Sequence, residues 1–468
     1  MKSIEKYLSS GYYIATIFII TYIAWRFNES TPPYDFNLYN MIGMFVLVIS
    51  MTLILTFYKN ALYITPIIAA ILFIVSKHDL TFETATTIGF PHIAFAIFLT
   101  GPIIHYFRFK PTFKKGSLLL GLSLIALAYV IPLLYTPFDI TAIPVSFVAL
   151  VYLLLYIAFT STIEGNIDYL MKMMLGVTLL LSAQMFTVIT RGMIAYNDLP
   201  FYEAFYQGVS RSWYKNFGWG NINDVAFYIA LTFPSITYFI FKRPKNIVYW
   251  ILLFIPIIAV VLSGSRGGVI GFGFSAAAVI FIIFRYRSEL ITKNGLLVIT
   301  LFLVLFAVNY RIFEQVWLAF YDSWDNDLNA FSSGRLDIYR EGLKIFRQYP
   351  LFGAGWLSIY WFDFGGRIFM FHSTFIHVLA TMGLFGLFAL MVHYKEVFTV
   401  FLKDATLEKK LIMVGYIATQ IHGLIDNVQF SVPFSVWIVM VFAMIETAPK
   451  STVFKRVKYV YHPNYINK

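Results

Sequence analysis

Long apolar runs separated by short polar segments extend along nearly the whole chain. Most runs hold about 16–22 residues, which as helices match the thickness of a bilayer core. The pattern predicts an all-α, polytopic transmembrane helical protein with about 12–14 spans, forming a single multi-pass membrane domain over residues 1–468. The predicted spans lie near 11–27, 38–57, 61–76, 90–107, 117–134, 142–160, 168–189, 223–241, 247–262, 268–284, 295–310, 373–393, 410–427 and 430–447.

The composition agrees with this fold class. The chain is 59% hydrophobic and 13% charged, and a soluble protein of 468 residues would need far more polar surface to cover its core. It has no cysteine, which excludes disulfide bonds and thiolate metal sites. It also has no zinc-ligand spacing, P-loop or nucleophile elbow, so we expect neither a metal nor a cofactor.

The net charge of +11 is distributed as in a membrane protein. When the N-terminus is placed in the cytoplasm, compact basic clusters fall in the short cytoplasmic loops. We therefore predict that both termini are cytoplasmic, that the basic groups contact anionic lipid head groups of the bilayer, and that no nucleic acid is bound. Two of these clusters are Arg108, Lys110, Lys114 and Lys115, and Lys242, Arg243 and Lys245.

Two segments on the predicted extracytoplasmic side are long enough to hold structure, at 190–222 and 311–372. The larger one contains a predicted amphipathic helix over residues 334–346, because apolar residues recur there at helical spacing. These residues are Leu336, Tyr339, Leu343 and Phe346. Such a helix could lie on the outer membrane surface or cover a cavity.

Arg266 is the first candidate for chemistry, because it lies in an extracytoplasmic turn, Ser263–Gly268, against the positive-inside bias. The surrounding glycines and serines permit a tight turn with exposed backbone N–H groups. A guanidinium and such amides together suit a phosphate group. The alternative is an arginine in an ordinary turn whose side chain reaches up to the interface.

His372 is the second candidate, at the start of the span that follows the larger loop. Ser373 or Thr374 can cap this helix, and a histidine beside its positive end is biased toward the neutral form. A neutral imidazole can accept a proton from a sugar hydroxyl. The alternative is an interfacial histidine hydrogen-bonded to the backbone. His377, five residues on, lies on another helix face and is interpreted as structural.

Arginines also flank or line the two long segments. Arg191 and Arg211 flank the first, and Arg335 lies in the second. Arginine outnumbers lysine in these segments, which favours recognition of phosphate because the planar guanidinium binds two oxygens at once. The alternative for each is anchoring to lipid head groups.

These motifs together resemble the O-antigen ligase and polymerase superfamily of integral-membrane glycosyltransferases. The resemblance covers about residues 260–390, where three motifs follow in the family's order. They are Ser265–Gly267, then Gly334–Arg335 with Pro350–Gly355, then His372–Phe375 with Met382–Gly386. Ser373 stands where an asparagine is commoner in the family, which could change the acceptor.

The resemblance implies a polyprenyl-diphosphate-linked glycan as donor and a hydroxyl of another sugar as acceptor. It places the reaction on the outer face of the cytoplasmic (inner) membrane, without a metal. Arg266 and His372 would be the catalytic residues, and Arg191, Arg211, Arg266 and Arg335 would bind the diphosphate. A flippase and chain-length regulator proteins are further candidate partners.

Two activities within the family remain open. A polymerase joins repeat units into a surface polysaccharide of the capsule or O-antigen type, whereas a ligase transfers a finished glycan to a terminal acceptor. We favour the polymerase, since ligation is one specialised use of the fold. A lipid-linked oligosaccharide flippase is a further alternative, but flippases usually place charges within their spans. A non-catalytic scaffold would not require the ordered motifs.

Overall fold

The structure is a computed structural model that describes residues 2–26, 38–74, 90–136, 142–212, 222–287, 292–311, 313–314, 334–356, 358 and 371–449. Within these ranges every regular element is helical, which confirms the all-α prediction. The α-helices are α1 Lys2–Leu8, α2 Gly11–Arg26, α3 Leu38–Phe57, α4 Thr65–Ile74, α5 Phe90–Phe109, α6 Leu119–Val130, α7 Ala142–Thr162, α8 Ile167–Ile194, α9 Phe201–Ser212, α10 Ile222–Thr232, α11 Pro234–Lys242, α12 Ile247–Ser263, α13 Arg266–Arg287, α14 Lys293–Val308, α15 Arg335–Gln348, α16 Thr374–Leu402, α17 Leu407–His422 and α18 Val432–Thr447.

Each predicted apolar run coincides with one helix, with a helix and a short 3₁₀ turn or, for 223–241, with the two consecutive helices α10 and α11. Four helices in the described ranges are long and apolar enough to cross a membrane, and the bent pair α1 and α2 could form a fifth span. The four are Ile167–Ile194, Ile222–Lys242, Arg266–Arg285 and Thr374–Leu402. Shorter apolar helices, such as Ile247–Ser263 and Val432–Thr447, follow other predicted runs. The protein is a multi-pass membrane protein.

Close helix packing brings α13 against two neighbours. Helix α13 contacts α10 and α17, and α10 also contacts α17. A side chain at Gly268 on α13 would come within 2.3 Å of Ala226 Cβ on α10, and one at Gly271 within 2.9 Å of the Ala418 carbonyl oxygen on α17. Small residues at such positions let membrane helices approach closely. The start of α13 is therefore fixed against α10 and the end of α17.

The predicted amphipathic helix is present as α15, Arg335–Gln348, but its buried face differs from the predicted one. The four residues of the predicted stripe are only half-buried, whereas Ile338, Gly342 and Ile345 are buried. Gly342 lets the helix approach Phe371 and Ile376 at the start of α16. The sequence pattern missed this face because a glycine carries no apolar signal even where the closest packing occurs.

The segment Pro350–Gly355 is hydrogen-bonded into a break in α16. Gly383 has φ 62° and ψ −156°, a conformation essentially restricted to glycine, and it interrupts the helix. The N–H groups of Leu384 and Phe385 bond to Pro350 and Leu351 carbonyls, and those of Ala354 and Gly355 bond to Ala380 and Thr381 carbonyls. The loop thus satisfies the backbone groups that the break exposes, and it fixes the C-terminal end of α15 against α16.

The bundle has two ends that serve as reference points. Helix α18 begins at Val432, shortly after Asp426, and ends beyond Glu446. Its 16 residues span about 24 Å. We call these the Asp426 end and the Glu446 end. The N–H of Ser117, before α6, bonds to Glu446 at 2.8 Å, so the loop between α5 and α6 belongs to the Glu446 end.

Candidate functional site

His372 lies immediately before α16 in an unusual backbone conformation. Its φ of 38° is in the left-handed region, which residues other than glycine rarely adopt. The Tyr339 hydroxyl on α15 donates to the His372 carbonyl at 2.8 Å, and the Thr374 N–H donates to the Gly423 carbonyl at 2.8 Å. Ser373 occupies the N-cap position without a side-chain cap hydrogen bond. A conformation of this kind costs about 1–3 kcal/mol and is typical of functional positions.

The carboxylate of Asp426 is the centre of the site. Its Oδ1 lies 3.1 Å from Nδ1 of His372 and accepts a hydrogen bond from the Asn427 N–H at 2.8 Å. Its Oδ2 lies 3.5 Å from Nη2 of Arg335 and 4.0 Å from Nε2 of His422. The side chains of Asp426, Arg335 and His372 are 19%, 21% and 25% exposed, so a substrate could reach them.

The surrounding basic groups decide the charge of this carboxylate. Burial by itself raises the pKa of Asp426. The hydrogen bond with His372 and the positive charges nearby outweigh burial and hold the pKa of Asp426 well below its usual range. These charges come from His372, His422 and Arg335. Asp426 is therefore ionised at neutral pH.

Arg335 begins α15 and attaches it to the turn that carries Asp426. Its Nη1 donates to the Ile425 carbonyl at 2.6 Å, while Nη2 faces the Asp426 carboxylate. Since α15 is also fixed at its C-terminal end by Pro350–Gly355, the helix is held at both ends. This double attachment fixes the Arg335 guanidinium beside His372.

Arg266 is the first residue of α13, after a tight turn at Gly264. The Ser265 hydroxyl accepts a hydrogen bond from the Gly268 N–H at 3.0 Å, as an N-cap does. The same hydroxyl donates to Oδ1 of Asn223 on α10 at 2.6 Å. The helix start, and with it the position of Arg266, is therefore specified by contacts with a second helix.

His422 connects the Arg266 turn to Asp426. It is buried at the end of α17, forms a hydrogen bond with the backbone of Gly267, and lies 4.0 Å from the Asp426 carboxylate. The guanidinium groups of Arg266 and Arg335 are close enough to repel each other. The Arg335 guanidinium thus faces the Asp426 carboxylate, with the Arg266 guanidinium and the positive end of α13 nearby, an arrangement suited to a multiply charged anion.

The predicted site residues fall into two groups. The structure brings Arg266, Arg335 and His372 together at the Asp426 end. Arg191, in the last turn of α8, donates from Nη2 to the Arg26 carbonyl at 2.5 Å, in a contact between α8 and α2. Arg211 lies in the last turn of α9, and its side chain is outside the described residues.

His377 occupies a separate, apolar environment. It is completely buried, with its ring 4.4 Å from that of Trp356 and 5.4 Å from that of Phe430, measured between centroids. Neither ring nitrogen has a hydrogen-bond partner in the described part of the chain. These contacts fit the structural role expected for His377.

Sequence reasoning missed Asp426 and His422. Both lie near the end of the predicted span 410–427, which was treated as an apolar run. A signal was available, because an acidic residue and a histidine four residues apart within a span are expensive to bury and usually have partners. The basic partners themselves come from segments far apart in sequence, so only the fold reveals them.

No group of three or more His, Asp or Glu side chains in the described ranges is arranged to hold a metal ion. In this cluster Asp426 Oδ1 instead contacts His372 Nδ1, and Asp426 Oδ2 faces the Arg335 guanidinium. The arrangement suits binding of an anion and transfer of a proton.

Residues 251–391 match the family model described as O-antigen ligase. This segment is therefore similar to the O-antigen ligase family. The matched segment includes Arg266, Arg335 and His372, and it confirms the resemblance that the sequence motifs indicated over about 260–390. Asp426 and His422 lie beyond it. No curated protein matches the chain.

Proposed function

We propose that the protein is a membrane glycosyltransferase that joins polyprenyl-diphosphate-linked oligosaccharide repeat units into a surface polysaccharide. The observation that carries the proposal is that Arg335 and His372 contact Asp426 while Arg266 lies near Arg335, although the three basic residues come from separate segments of the chain. The similarity of residues 251–391 to the O-antigen ligase family supports the coarser proposal, a role in the assembly of lipid-linked glycans.

The two guanidinium groups suit the leaving group of this reaction. A diphosphate accumulates negative charge as its bond to the sugar breaks, and arginine can bind two phosphate oxygens at once. We assign this role to Arg266 and Arg335, with the first N–H groups of α13 adding partial positive charge. Placed before the reaction begins, such groups stabilise the transition state more than the ground state.

The His372–Asp426 pair suits activation of the acceptor. When Nδ1–H of His372 is donated to Asp426, the lone pair of the neutral ring is on Nε2. That nitrogen would accept the proton of the acceptor hydroxyl while the oxygen attacks the anomeric carbon of the donor. The bond from that carbon to the phosphate oxygen then breaks, and its electron pair leaves with the polyprenyl diphosphate. Asp426 would orient the ring and stabilise the imidazolium that forms.

Arg191 and Arg211 remain in the proposal as further contacts for the donor. Arg191 reaches the carbonyl at the end of α2, so its position is set by a contact between helices. We place the reaction at the extracytoplasmic face of the cytoplasmic membrane, with both termini in the cytoplasm, because the basic clusters lie at the Glu446 end. A flippase would act before polymerisation, and a chain-length regulator would limit the length of the polymer.

A ligase is the second candidate, since the matched model is described as O-antigen ligase. The donor chemistry is the same for both activities. A ligase would transfer a finished glycan from the polyprenyl carrier to a terminal acceptor.

The size profile of polyprenyl-linked glycans in cells that lack the protein separates these activities. Single repeat units on the lipid without long chains identify a polymerase. Long chains that accumulate on the lipid and never reach their acceptor identify a ligase. An unchanged profile contradicts both.

Complementation with variants then tests the site. Arg335→Ala should fail to restore the profile, whereas Arg340→Ala should restore it. Arg340 is the matched control because it lies on the same helix, is 72% exposed and pairs with Asp337. Equal behaviour of the two variants would remove Arg335 from the mechanism.

A further inference from the structure

An open groove of about 430 Å³ lies at the Glu446 end, where α5 leaves the apolar layer. It is lined by Tyr106, Phe107, Lys110 and Pro111. Lys110 ends α5 in a left-handed conformation, with φ 45° and its N–H bonded to the Tyr106 carbonyl at 2.9 Å, and Pro111 prevents the helix from continuing. The volume is within the range of small-molecule sites.

The groove combines exposed aromatic rings with exposed cations. Tyr106 is 59% exposed and Phe107 is 71% exposed, as is common at the boundary between bilayer and water. Arg108, Lys114 and Lys115 lie within five residues of Lys110 and are also exposed. Residues 90–116 contain no acidic residue, so the charges that this segment itself carries are all positive.

These cations differ from the second basic cluster at the same end. There, Nζ of Lys242 lies 2.5 Å from the Asp168 carboxylate, which Lys172 also contacts at 2.9 Å. By contrast, within the described ranges none of the four basic residues around the groove forms an ion pair with a carboxylate. Arg108 instead lies over the ring of Phe57, 5.7 Å from its centroid. Within these ranges the ammonium charges of Lys110, Lys114 and Lys115 are therefore not used in ion pairs.

We propose that the groove binds the headgroup of an anionic phospholipid. The phosphate would lie against Lys110 and the neighbouring cations, and the acyl chains would cover the exposed apolar face of α5 around Ile103 and Phe107. Four basic residues directly beside a predicted span, here 90–107, are the pattern that anionic lipids recognise. This site is at the opposite end of the bundle from Arg266 and does not depend on the proposed glycosyltransfer.

The test uses the purified full-length protein in a neutral detergent. Phosphatidylglycerol, phosphatidylcholine and inorganic phosphate are added separately, and bound lipid is counted by native mass spectrometry while thermal stability is followed in parallel. We expect phosphatidylglycerol to bind and stabilise, and the other two to have little effect. Neutralising Lys110 and Lys114 to Gln should lower the affinity about fivefold each, and about 25-fold together.

The control is Lys395→Gln, an exposed lysine on α16 that is not part of the groove lining. It should bind phosphatidylglycerol like the unaltered protein. Equal binding by the Lys110/Lys114 double variant would overturn the proposal. So would equal stabilisation by phosphatidylcholine, which would show no headgroup preference, or by inorganic phosphate, which would show an anion site that does not require lipid.

Discussion

At the Asp426 end the Asp426 carboxylate lies among Arg335, His372 and His422. At the Glu446 end, by contrast, two carboxylates accept hydrogen bonds from backbone N–H groups near the start of a helix. Glu446 accepts a hydrogen bond from the Ser117 N–H, and Glu396 accepts one from the Gly121 N–H, both at 2.8 Å. These groups lie at the start of α6, where backbone N–H groups lack partners within the helix.

We interpret this difference as one between charged side chains that stabilise the fold and charged side chains that could take part in a reaction. At the Glu446 end the carboxylates satisfy backbone N–H groups or pair with lysines, as Asp168 does with Lys242. At the Asp426 end three basic side chains lie around the Asp426 carboxylate, and His372 is held in a left-handed conformation. Positive charge and backbone strain often occur together at functional sites, which supports the proposed binding of an anionic substrate here.

The largest expected effect is at His372. His372→Ala should lower the transfer rate about 10³-fold, because it removes the group that accepts the hydroxyl proton. The measurement is polymer formation in isolated membranes from lipid-linked repeat units, with variant and unaltered protein present in equal amounts. Normal polymer from the variant would show that His372 is not catalytic. It would also contradict the proposal that the reaction takes place at the Asp426 end.

The next effect is at Arg266. Arg266→Ala should lower transfer about 10²–10³-fold, since one donor that faces the leaving group is lost. Arg266→Lys should recover only part of this loss, because an ammonium keeps the charge but not the planar two-point contact. The same membrane assay separates these outcomes. Full activity of both variants would show that the diphosphate binds elsewhere.

Gly383→Ala tests the attachment of the loop to α16. Alanine at φ 62° is strained, and its Cβ would lie 2.6 Å from the Gly353 nitrogen, so we expect a loss of about 2–3 kcal/mol in stability or more. Thermal denaturation in detergent measures it. Gly273→Ala is the control, because nothing lies within 4 Å of the added methyl group and alanine favours a helix. An equal shift in both variants would contradict the described loop contact.

The pH dependence of stability tests the charge of Asp426. Its pKa is depressed in the folded protein, so its stabilising contribution is present above the unfolded value of about 4 and is lost as the pH falls through the lower folded value. The difference in melting temperature between the unaltered protein and Asp426→Asn should therefore stay constant from pH 8 to about 5 and shrink below about pH 4. A difference that declined around neutral pH would contradict the assignment.

The smallest effect is expected at the Glu446 end. Lys242→Ala removes an ion pair whose side chains are 32% and 29% exposed, so the stability should fall by at most about 1 kcal/mol. Transfer should be unchanged once protein amounts are equal. A large loss of transfer in this variant would show that charge at both ends serves the reaction.

Much of the fold was predictable from the sequence, because spanning helices need long apolar runs and every predicted run coincides with helical structure. The helix α15 was predictable from apolar residues that recur at helical spacing. Its buried face was not, since Gly342 gives no hydrophobic signal and becomes buried only because Phe371 and Ile376 lie against it. Periodicity records which residues are apolar and does not record how closely two helices approach.

The site was predictable in part. Arg266 and His372 stand out because charge is unusual at the boundary of a spanning helix. Asp426 and His422 were hidden within a run that is apolar on average. Their role depends on contacts between the 422–427 turn, the start of α13 and the start of α15. Such contacts join segments that are about 90 residues or more apart in the sequence, so periodicity within one segment cannot predict them.

The central claim is that Arg266 and Arg335, at the Asp426 end, bind the diphosphate of the donor. Its most direct test is the affinity of the purified protein for a polyprenyl diphosphate, compared among the unaltered protein, Arg266→Ala and Lys242→Ala. We predict that Arg266→Ala weakens binding about 10–100-fold, in line with the loss of a charged hydrogen bond, and that Lys242→Ala leaves it unchanged. Equal affinity of all three proteins, or an equal loss in both variants, would contradict the account.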